Sequence, residues 1–267
     1  MIDFSKYKRF FAFGCSCTSY SYPTWAEILA SEMPDAEFYN LGKSGAGNLF
    51  ISNRVAQANS KFNFTDTDLV IVMWTSAYRE DRYYESFWIG AGNVYNSDVY
   101  DKNFVKNYCD PEGFLIRDMA LIELTTKYLE SLPCDAIHSA MSSLTHESNE
   151  LMNSEHNPRA NSFFSDLNKV FPTTLDKIQK PELLNAIPNE QTKWLNEDGN
   201  IVYDGHPLPY RYHEFLKQMN LPLTEKSEIM VAETMNTINN IRHRDELNTL
   251  FPDLYERNME MFYYGLF

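Results

Sequence analysis

The feature that most limits how this chain can fold is a run of six apolar residues at 69–74, LVIVMW. The run does not alternate with polar residues, so a strand formed here is buried on both faces, as in a parallel sheet covered by helices. Two shorter strand patterns at 10–13 and 37–41 precede it, and helical patterns follow each of them at 24–30 and 48–59. Strand and helix alternating in this way predict right-handed βαβ units and a doubly wound sheet.

The rest of the chain is less regular. Residues 79–113 are rich in Tyr, Asn, Asp and Gly and predict an irregular insertion. Residues 115–132 predict a helix, and 134–140 predict a fourth strand. A structureless loop as long as 141–200 is uncommon, so we expect short helices there. A helix is predicted at 213–219, and beyond it residues 220–267 predict a helical C-terminal extension interrupted near Pro252.

Composition is typical of a folded chain. Hydrophobic residues make up 43% and aromatic residues 15% of the 267 positions, which argues against disorder. We therefore expect residues 1–267 to form a single α/β domain. Its architecture would be a three-layer α/β/α sandwich with a parallel, flavodoxin-like doubly wound sheet, plus helical and irregular insertions at about 79–113 and 141–200.

Charge and cysteine content exclude several classes of function. The formal net charge of −14 disfavours binding to nucleic acid and to anionic membranes. No apolar run reaches the length of a membrane span, and no secretory signal is evident, so a cytoplasmic protein is expected. The four cysteines are too few for a disulfide framework, and Cys15-x-Cys17 lacks a second pair at zinc-ligand spacing. No metal or other cofactor is predicted, and the oligomeric state is left open.

A candidate nucleophile follows the first predicted strand, in the segment 14–18, GCSCT. Ligands of doubly wound sheets bind at the carboxyl ends of the strands, which is where Ser16 is expected to lie. A serine there needs a base for its proton and backbone N–H groups for the oxyanion. The glycine-rich turn at 42–47 can supply such an N–H, although glycines also follow strands for steric reasons alone.

A candidate base lies far along the chain, where Asp204 precedes His206 by two residues. Side chains two apart in an extended segment point to the same side, so Asp204 can orient His206. The structural alternative is that Asp-Gly is only a turn signal and that the histidine is an ordinary surface residue.

Together, these three segments resemble the blocks of the SGNH (GDSL-like) hydrolases, which occur in the same order. Residues 13–18 are similar to the first block, usually Gly-Asp-Ser, with Cys15 at the aspartate position. Residues 40–45, NLGKSG, are similar to the second block, and residues 204–207, DGHP, to the last. The resemblance covers about residues 8–78 and 200–219.

The resemblance implies a serine esterase without a cofactor. Ser16 would be the nucleophile, His206 the base and Asp204 the residue that orients it, with the N–H groups of Ser16 and Gly45 in the oxyanion hole. The implied substrate is a small acyl ester, such as an O-acetyl carbohydrate or a short-chain lipid ester. Aromatic side chains of the first insertion would either stack on it or simply pack the insertion: Tyr83, Tyr84, Phe87, Trp88 and Tyr95.

Two departures from the family pattern qualify this assignment. The third block, usually Gly-x-Asn-Asp, is replaced by residues 73–79, MWTSAYR, which contain no Asn. Loss of an oxyanion donor raises the barrier by about 2.7–4 kcal/mol, which is consistent with a slow or specialised enzyme. A hydroxyl of Ser76 or Thr75 can replace the amide, and we assign Ser76 to the oxyanion hole. Residues assigned to substrate binding are Arg79, Trp74 and Asn48.

The second departure is the spacing Asp-x-His in place of the commoner Asp-x-x-His, which leaves Asp198 as a distant substitute for Asp204. His213 is expected to be structural. Three alternatives to the esterase remain at this point: an acyltransferase with the same triad, a catalytically weak binding or structural protein on the same scaffold, and an enzyme with Cys15 or Cys17 as nucleophile.

Overall fold

The computed structural model describes residues 2–142 apart from Ser97, residues 192–263 apart from Glu197, and a few separate positions between 143 and 191. For residues 258–263 it describes the backbone only. The short helices expected within 141–200 therefore lie largely outside the described residues.

A four-stranded parallel sheet forms the centre of the fold. Its strands are β1 (Arg9–Phe13), β2 (Glu37–Asn40), β3 (Asp68–Trp74) and β6 (Asp135–Ala140), in the spatial order β2-β1-β3-β6. All seven residues of β3 are buried, as its unbroken apolar run predicts. The parallel doubly wound sheet expected from the sequence is confirmed.

Helices lie on both sides of this sheet. Helix α2 (Asn48–Phe62) packs against α4 (Pro111–Glu130), and α1 (Trp25–Ala30) packs against α5 (Pro209–Gln218) and α6 (Glu225–Asn239). Thr24 begins α1 with a capping box, in which its own N–H donates to Glu27 Oε2 at 2.9 Å. The resulting layers are those of an α/β/α sandwich, and none of the described helices is both long and apolar enough to cross a lipid bilayer.

The insertion at 79–113 differs from the irregular segment that was expected. It contains an antiparallel hairpin of β4 (Arg79–Tyr84) and β5 (Phe87–Asn93), followed by α3 (Lys102–Tyr108). The connecting residues Glu85 and Ser86 both have positive φ, of 47° and 75°. Tight hairpin turns need this conformation and usually supply it with Asn-Gly, so the sequence lacked the usual turn signal.

The C-terminal part of the chain packs onto the same core. A second hairpin pairs β7 (Thr192–Leu195) with β8 (Ile201–Asp204), and the last described elements are α7 (Glu246–Leu250) and α8 (Pro252–Tyr263). Leu216 of α5, Ile238 of α6 and Leu247 of α7 belong to the main hydrophobic cluster together with the sheet residues. The helical extension thus contacts the core, while the predicted domain boundaries stay a prediction.

Candidate active site

Ser16 lies in a tight turn at the carboxyl end of β1. The N–H groups of Thr18 and Ser19 donate to the carbonyl oxygen of Cys15, at 2.9 and 3.1 Å. These bonds close the turn around Ser16, a buried residue that is 9% exposed. The serine therefore sits at the carboxyl edge of the sheet, where the sequence predicted a nucleophile.

Thr18 packs between this turn and the glycine-rich turn after β2. A Cβ added to Gly14 would lie 2.0 Å from Thr18 Oγ1, and one added to Gly42 would lie 2.9 Å from Thr18 Cβ. The Nδ2 of Asn40 donates to Thr18 O at 2.6 Å, while its Oδ1 accepts from Gly42 N at 3.1 Å. The two turns that carry Ser16 and Gly45 consequently form one packed unit.

Gly45 is pressed against the hairpin β4–β5. Its φ is +74°, and an added Cβ would lie 2.5 Å from the carbonyl oxygen of Gly90. The Gly92 N–H donates to Gly45 O at 3.0 Å. From the same hairpin, buried Asp81 accepts from Gly47 N at 2.7 Å and from Phe50 N at 2.9 Å. The insertion thus braces the loop that carries the predicted oxyanion donor.

Asp204, the last residue of β8, is hydrogen-bonded to His206. Its Oδ1 lies 2.6 Å from His206 Nδ1 and accepts from His206 N at 2.9 Å. Burial alone would raise the pKa of Asp204, but the hydrogen bond and charge of His206 and a hydrogen bond from Tyr20 lower it to about 2. An ionised Asp204 requires the proton on Nδ1 of His206, which leaves Nε2 as an acceptor.

Tyr20 links this pair to the turn that carries Ser16. Its hydroxyl donates to Asp204 Oδ2, and its ring stacks on the imidazole of His206 with a centroid distance of 3.8 Å. Nearby, the Tyr22 hydroxyl contacts the carbonyl oxygens of His206 and Pro207, both at 3.2 Å. The segments around Ser16 and His206 are therefore in contact, although no hydrogen bond joins Ser16 Oγ to His206 among the described residues. Such bonds are often long before substrate binds.

The turn after β3 takes the place of the missing Asn block. Ser76 Oγ accepts from Tyr78 N at 3.3 Å, so its hydroxyl proton can still be donated. Thr75 Oγ1 lies 3.8 Å from the sulfur of Met141. Arg79 donates from Nη1 to Ala46 O at 3.0 Å, next to Gly45, and its Nε has no hydrogen-bond partner among the described residues. Arg79 therefore brings positive charge to the loop of the predicted oxyanion hole.

Two of the residues assigned to substrate binding make contacts in the interior of the protein. Trp74 is fully buried and donates from Nε1 to His138 Nδ1 at 3.2 Å. Asn48 is also fully buried, and its amide bonds the main chain of Thr75 in both directions and donates to Asp118 Oδ2 at 2.8 Å. These contacts favour a structural role, and the assignment of either residue to substrate stays a prediction.

Both cysteines beside Ser16 are buried. A hydrogen bond from Cys17 lowers the pKa of Cys15 against the opposing effect of burial, and nearby Arg79 lowers it further. The same hydrogen bond, together with burial, raises the pKa of Cys17. Cys15 Sγ lies 3.5 Å from Met141 Sδ in the interior. Ser16 is 9% exposed, against 4% for Cys17 and 0% for Cys15, so all three residues are buried and the choice of Ser16 as the nucleophile stays a prediction.

The other residues that the sequence analysis considered are not among the hydrogen-bond partners described for Asp204 and His206. Asp198 is exposed in the turn between β7 and β8. His213 is buried, with Nε2 3.1 Å from Ser227 Oγ, and joins α5 to α6. Among the aromatic residues of the insertion, Trp88 packs edge-on against Phe50, whereas Tyr83 and Tyr84 are exposed.

Sequence reasoning missed two residues that contact the Asp204–His206 pair. Tyr20 lies only four positions after Ser16, and its place directly after the same turn was the available signal. Arg244 lies in the connection between α6 and α7, donates from Nη2 to Tyr20 Oη at 2.9 Å, and has Nε 3.9 Å from Asp204 Oδ2. Nothing in its local sequence indicates this contact.

No protein-family model matches the chain, and no curated protein does either. Among solved structures, the fold is similar to that of the YxiM protein from Bacillus subtilis, with 13% sequence identity and a TM-score of 0.39. The similarity covers 82% of this chain and 58% of that chain, so the present chain spans less than two thirds of the YxiM structure. At this level the similarity carries no argument about function.

Proposed function

We propose that this chain is a serine hydrolase of the SGNH type that cleaves a small acyl ester, for example an O-acetyl group on a carbohydrate. Ser16 is the nucleophile, His206 the general base and Asp204 the carboxylate that orients it. The observation that carries the proposal is the hydrogen-bonded Asp204–His206 pair, held through Tyr20 against the turn that contains Ser16.

In the proposed reaction, Nε2 of His206 takes the proton from Ser16 Oγ as this oxygen attacks the acyl carbon. The alcohol leaves with the proton returned by His206, and the acyl group stays on Ser16 as an ester. Water activated by His206 then releases the acid and restores the serine. The Nδ1–H bond to ionised Asp204 supports this cycle, because it keeps Nε2 free to accept a proton.

The oxyanion would be stabilised by the N–H groups of Ser16 and Gly45 and by the Ser76 hydroxyl. Arg79 compensates for the missing Asn, because a guanidinium beside the second loop favours developing negative charge.

The first test measures hydrolysis of p-nitrophenyl acetate by the wild-type chain, Ser16→Ala and His206→Ala. Both substitutions are expected to lower kcat by at least about 1,000-fold, because members of a triad act as a unit. A fluorophosphonate probe should label the wild type at Ser16 and leave Ser16→Ala unlabelled.

Two control variants separate chemistry from folding. Ser5→Ala alters an exposed serine bonded to Asp3 at the other end of β1, and His243→Ala alters an exposed histidine. Both should hydrolyse the ester at the wild-type rate. Equal rates in Ser16→Ala and in the wild type, with circular dichroism showing both folded, would refute the proposal.

The alternative is a scaffold that binds its ligand without cleaving it. It is favoured by the turn after β3, which lacks Asn, and by the lack of a hydrogen bond from Ser16 Oγ to His206 among the described residues. A folded chain that neither reacts with the probe nor hydrolyses the ester would support this alternative. Transfer of the acetyl group to an added alcohol in preference to water would instead identify an acyltransferase.

A further inference from the structure

We infer that Tyr20 and Arg244 are positioning residues, which fix the second carboxylate oxygen of Asp204 and one face of the His206 ring. The inference rests on the proposed function, since it concerns how the same pair is held ready for reaction. Tyr20 lies two residues after the first of the three blocks that resemble a known family, and Arg244 lies outside the range that the resemblance covers.

Tyr20 contacts both members of the pair. Asp204 Oδ1 is engaged by His206, and the Tyr20 hydroxyl occupies Oδ2, so neither carboxylate oxygen can rotate away without losing a bond. The Tyr20 ring lies nearly parallel to the imidazole, at an interplanar angle of 20°. The ring of Tyr22 packs edge-on against the ring of Tyr20, with a centroid distance of 4.8 Å. One side chain thereby limits both the rotation of the carboxylate and the tilt of the imidazole.

Main-chain pairing brings Arg244 close to Tyr20 and Asp204. Leu195 N of β7 donates to Arg242 O at 2.9 Å, and Arg244 N donates to Leu195 O at 3.1 Å. The segment between α6 and α7 thus lies beside the hairpin that ends in Asp204. From there the guanidinium donates to the Tyr20 hydroxyl, whose own proton is directed to Asp204. Arg244 donates to Tyr20 and Tyr20 donates to Asp204, so this chain of hydrogen bonds ends at the carboxylate to which His206 also donates.

The charge of Arg244 opposes the charging of His206. Among the described residues, the titratable and charged groups that interact with Asp204 include His206, Tyr20, Tyr22 and Arg244, with Asp245 beside Arg244. A cation on the far side of the carboxylate, and a hydroxyl that donates to it, both reduce the stabilisation that Asp204 gives to an imidazolium. Removing either contact should therefore favour the protonated imidazole, which cannot act as a base.

The test compares Tyr20→Phe and Arg244→Gln with the wild type in p-nitrophenyl acetate hydrolysis across pH. For each variant we expect kcat to fall roughly 10-fold to 100-fold, the size of effect that follows small misplacements of a catalytic group. KM should change little, and the acid limb of the pH–rate profile should move to higher pH. A merely structural role would lower the folded fraction without moving that limb.

Matched controls exist for both substitutions. Tyr7 is as buried as Tyr20, and its hydroxyl also donates to a carboxylate, Asp135 Oδ2 at 2.7 Å, but at the opposite end of the sheet. Arg242 is exposed and lies two residues before Arg244. Tyr7→Phe and Arg242→Gln should keep the wild-type kcat and pH profile.

A second readout needs no activity. In protein labelled with ¹⁵N-histidine, the signals of His206 are assigned by their loss in His206→Gln and followed through a pH titration. We expect the His206 midpoint to rise in Tyr20→Phe and Arg244→Gln and to stay unchanged in the two controls. Wild-type kcat together with unchanged His206 titration in both variants would overturn the inference. Absence of Ser16-dependent hydrolysis in the wild type would instead refute the proposed function, and the titration would still decide the inference.

Discussion

Gly45 is the residue at which backbone conformation and the proposed chemistry meet most directly. Its positive φ disfavours any side chain, and its Cα faces the Gly90 carbonyl so closely that a Cβ would lie 2.5 Å from that oxygen. A residue with a Cβ in the left-handed region costs about 1–2 kcal/mol before any clash. The N–H assigned to the oxyanion hole therefore depends on a glycine here.

We predict that Gly45→Ala lowers the free energy of unfolding by more than about 2 kcal/mol, because strain and clash add. The displaced loop should also reduce kcat/KM for p-nitrophenyl acetate by at least about 10-fold. Urea unfolding and steady-state kinetics measure the two effects.

Gly92→Ala is the matched control, since Gly92 has a φ of +67° and an added Cβ would have no atom of the described residues within 4 Å. It should lose only about 1 kcal/mol of stability and keep its activity. If the two variants lose the same amounts of stability and activity, the contact with Gly90 does not hold the loop.

At the scale of elements, the central strands and helices were predictable because their signals are local. The apolar run at 69–74 requires cover on both faces, and Thr24 with Glu27 marks the start of α1 in the sequence itself. The hairpin β4–β5 was missed because its turn residues, Glu85 and Ser86, are not typical of tight turns. The hairpin is held by tertiary contacts that no local pattern indicates. One of them joins Asp81 of β4 to the main-chain N–H groups at the start of α2.

Helices α2 and α4 meet at a buried carboxyl group, that of Asp118, which should make stability depend on pH. Asp118 is fully buried, accepts from Arg117 Nε at 2.7 Å and from Asn48 Nδ2 at 2.8 Å, and burial raises its pKa to about 7. An unfolded aspartate has a pKa near 3.9. Between about pH 4 and pH 7 the folded state retains a proton that the unfolded state has released, so this group's contribution to stability falls as pH rises.

We predict that Asp118→Asn flattens this pH dependence. Urea unfolding at pH 5 and at pH 8 gives the loss of unfolding free energy over this range for each protein. This loss should be larger in the wild type than in the variant by at least about 1 kcal/mol. Asp135→Asn is the control, because hydrogen bonds from Lys6 and Tyr7 lower the pKa of Asp135, and its titration lies below this range. Its curve should run parallel to that of the wild type, and a parallel curve for Asp118→Asn would contradict the prediction.

At the scale of the whole molecule, the sequence predicted which segments lie at the ends of strands. It did not predict which distant side chains contact one another. The segments around Ser16, Gly45 and His206 could be placed at the ends of strands because strand and turn patterns precede them. Tyr20 and Arg244 could not be connected with Asp204, since Arg244 reaches it only after β7 pairs with the segment before α7. Contacts between distant parts of the chain depend on packing that no local pattern encodes.

The C-terminal extension has a helical pattern that fits either of two roles, closing the domain or docking a partner. Leu247 of α7 is completely buried in the main hydrophobic cluster, whereas Leu250 of the same short helix is 43% exposed. We predict that Leu247→Ala lowers the free energy of unfolding by about 2–5 kcal/mol. Leu250→Ala should change it by less than about 0.5 kcal/mol. Because Arg244 directly precedes this helix, Leu247→Ala should also shift the acid limb of the pH–rate profile in the direction expected for Arg244→Gln. Equal, small effects of the two leucine substitutions in urea unfolding would mean that α7 does not close the domain, and the contact of Arg244 with Tyr20 would then lack its support.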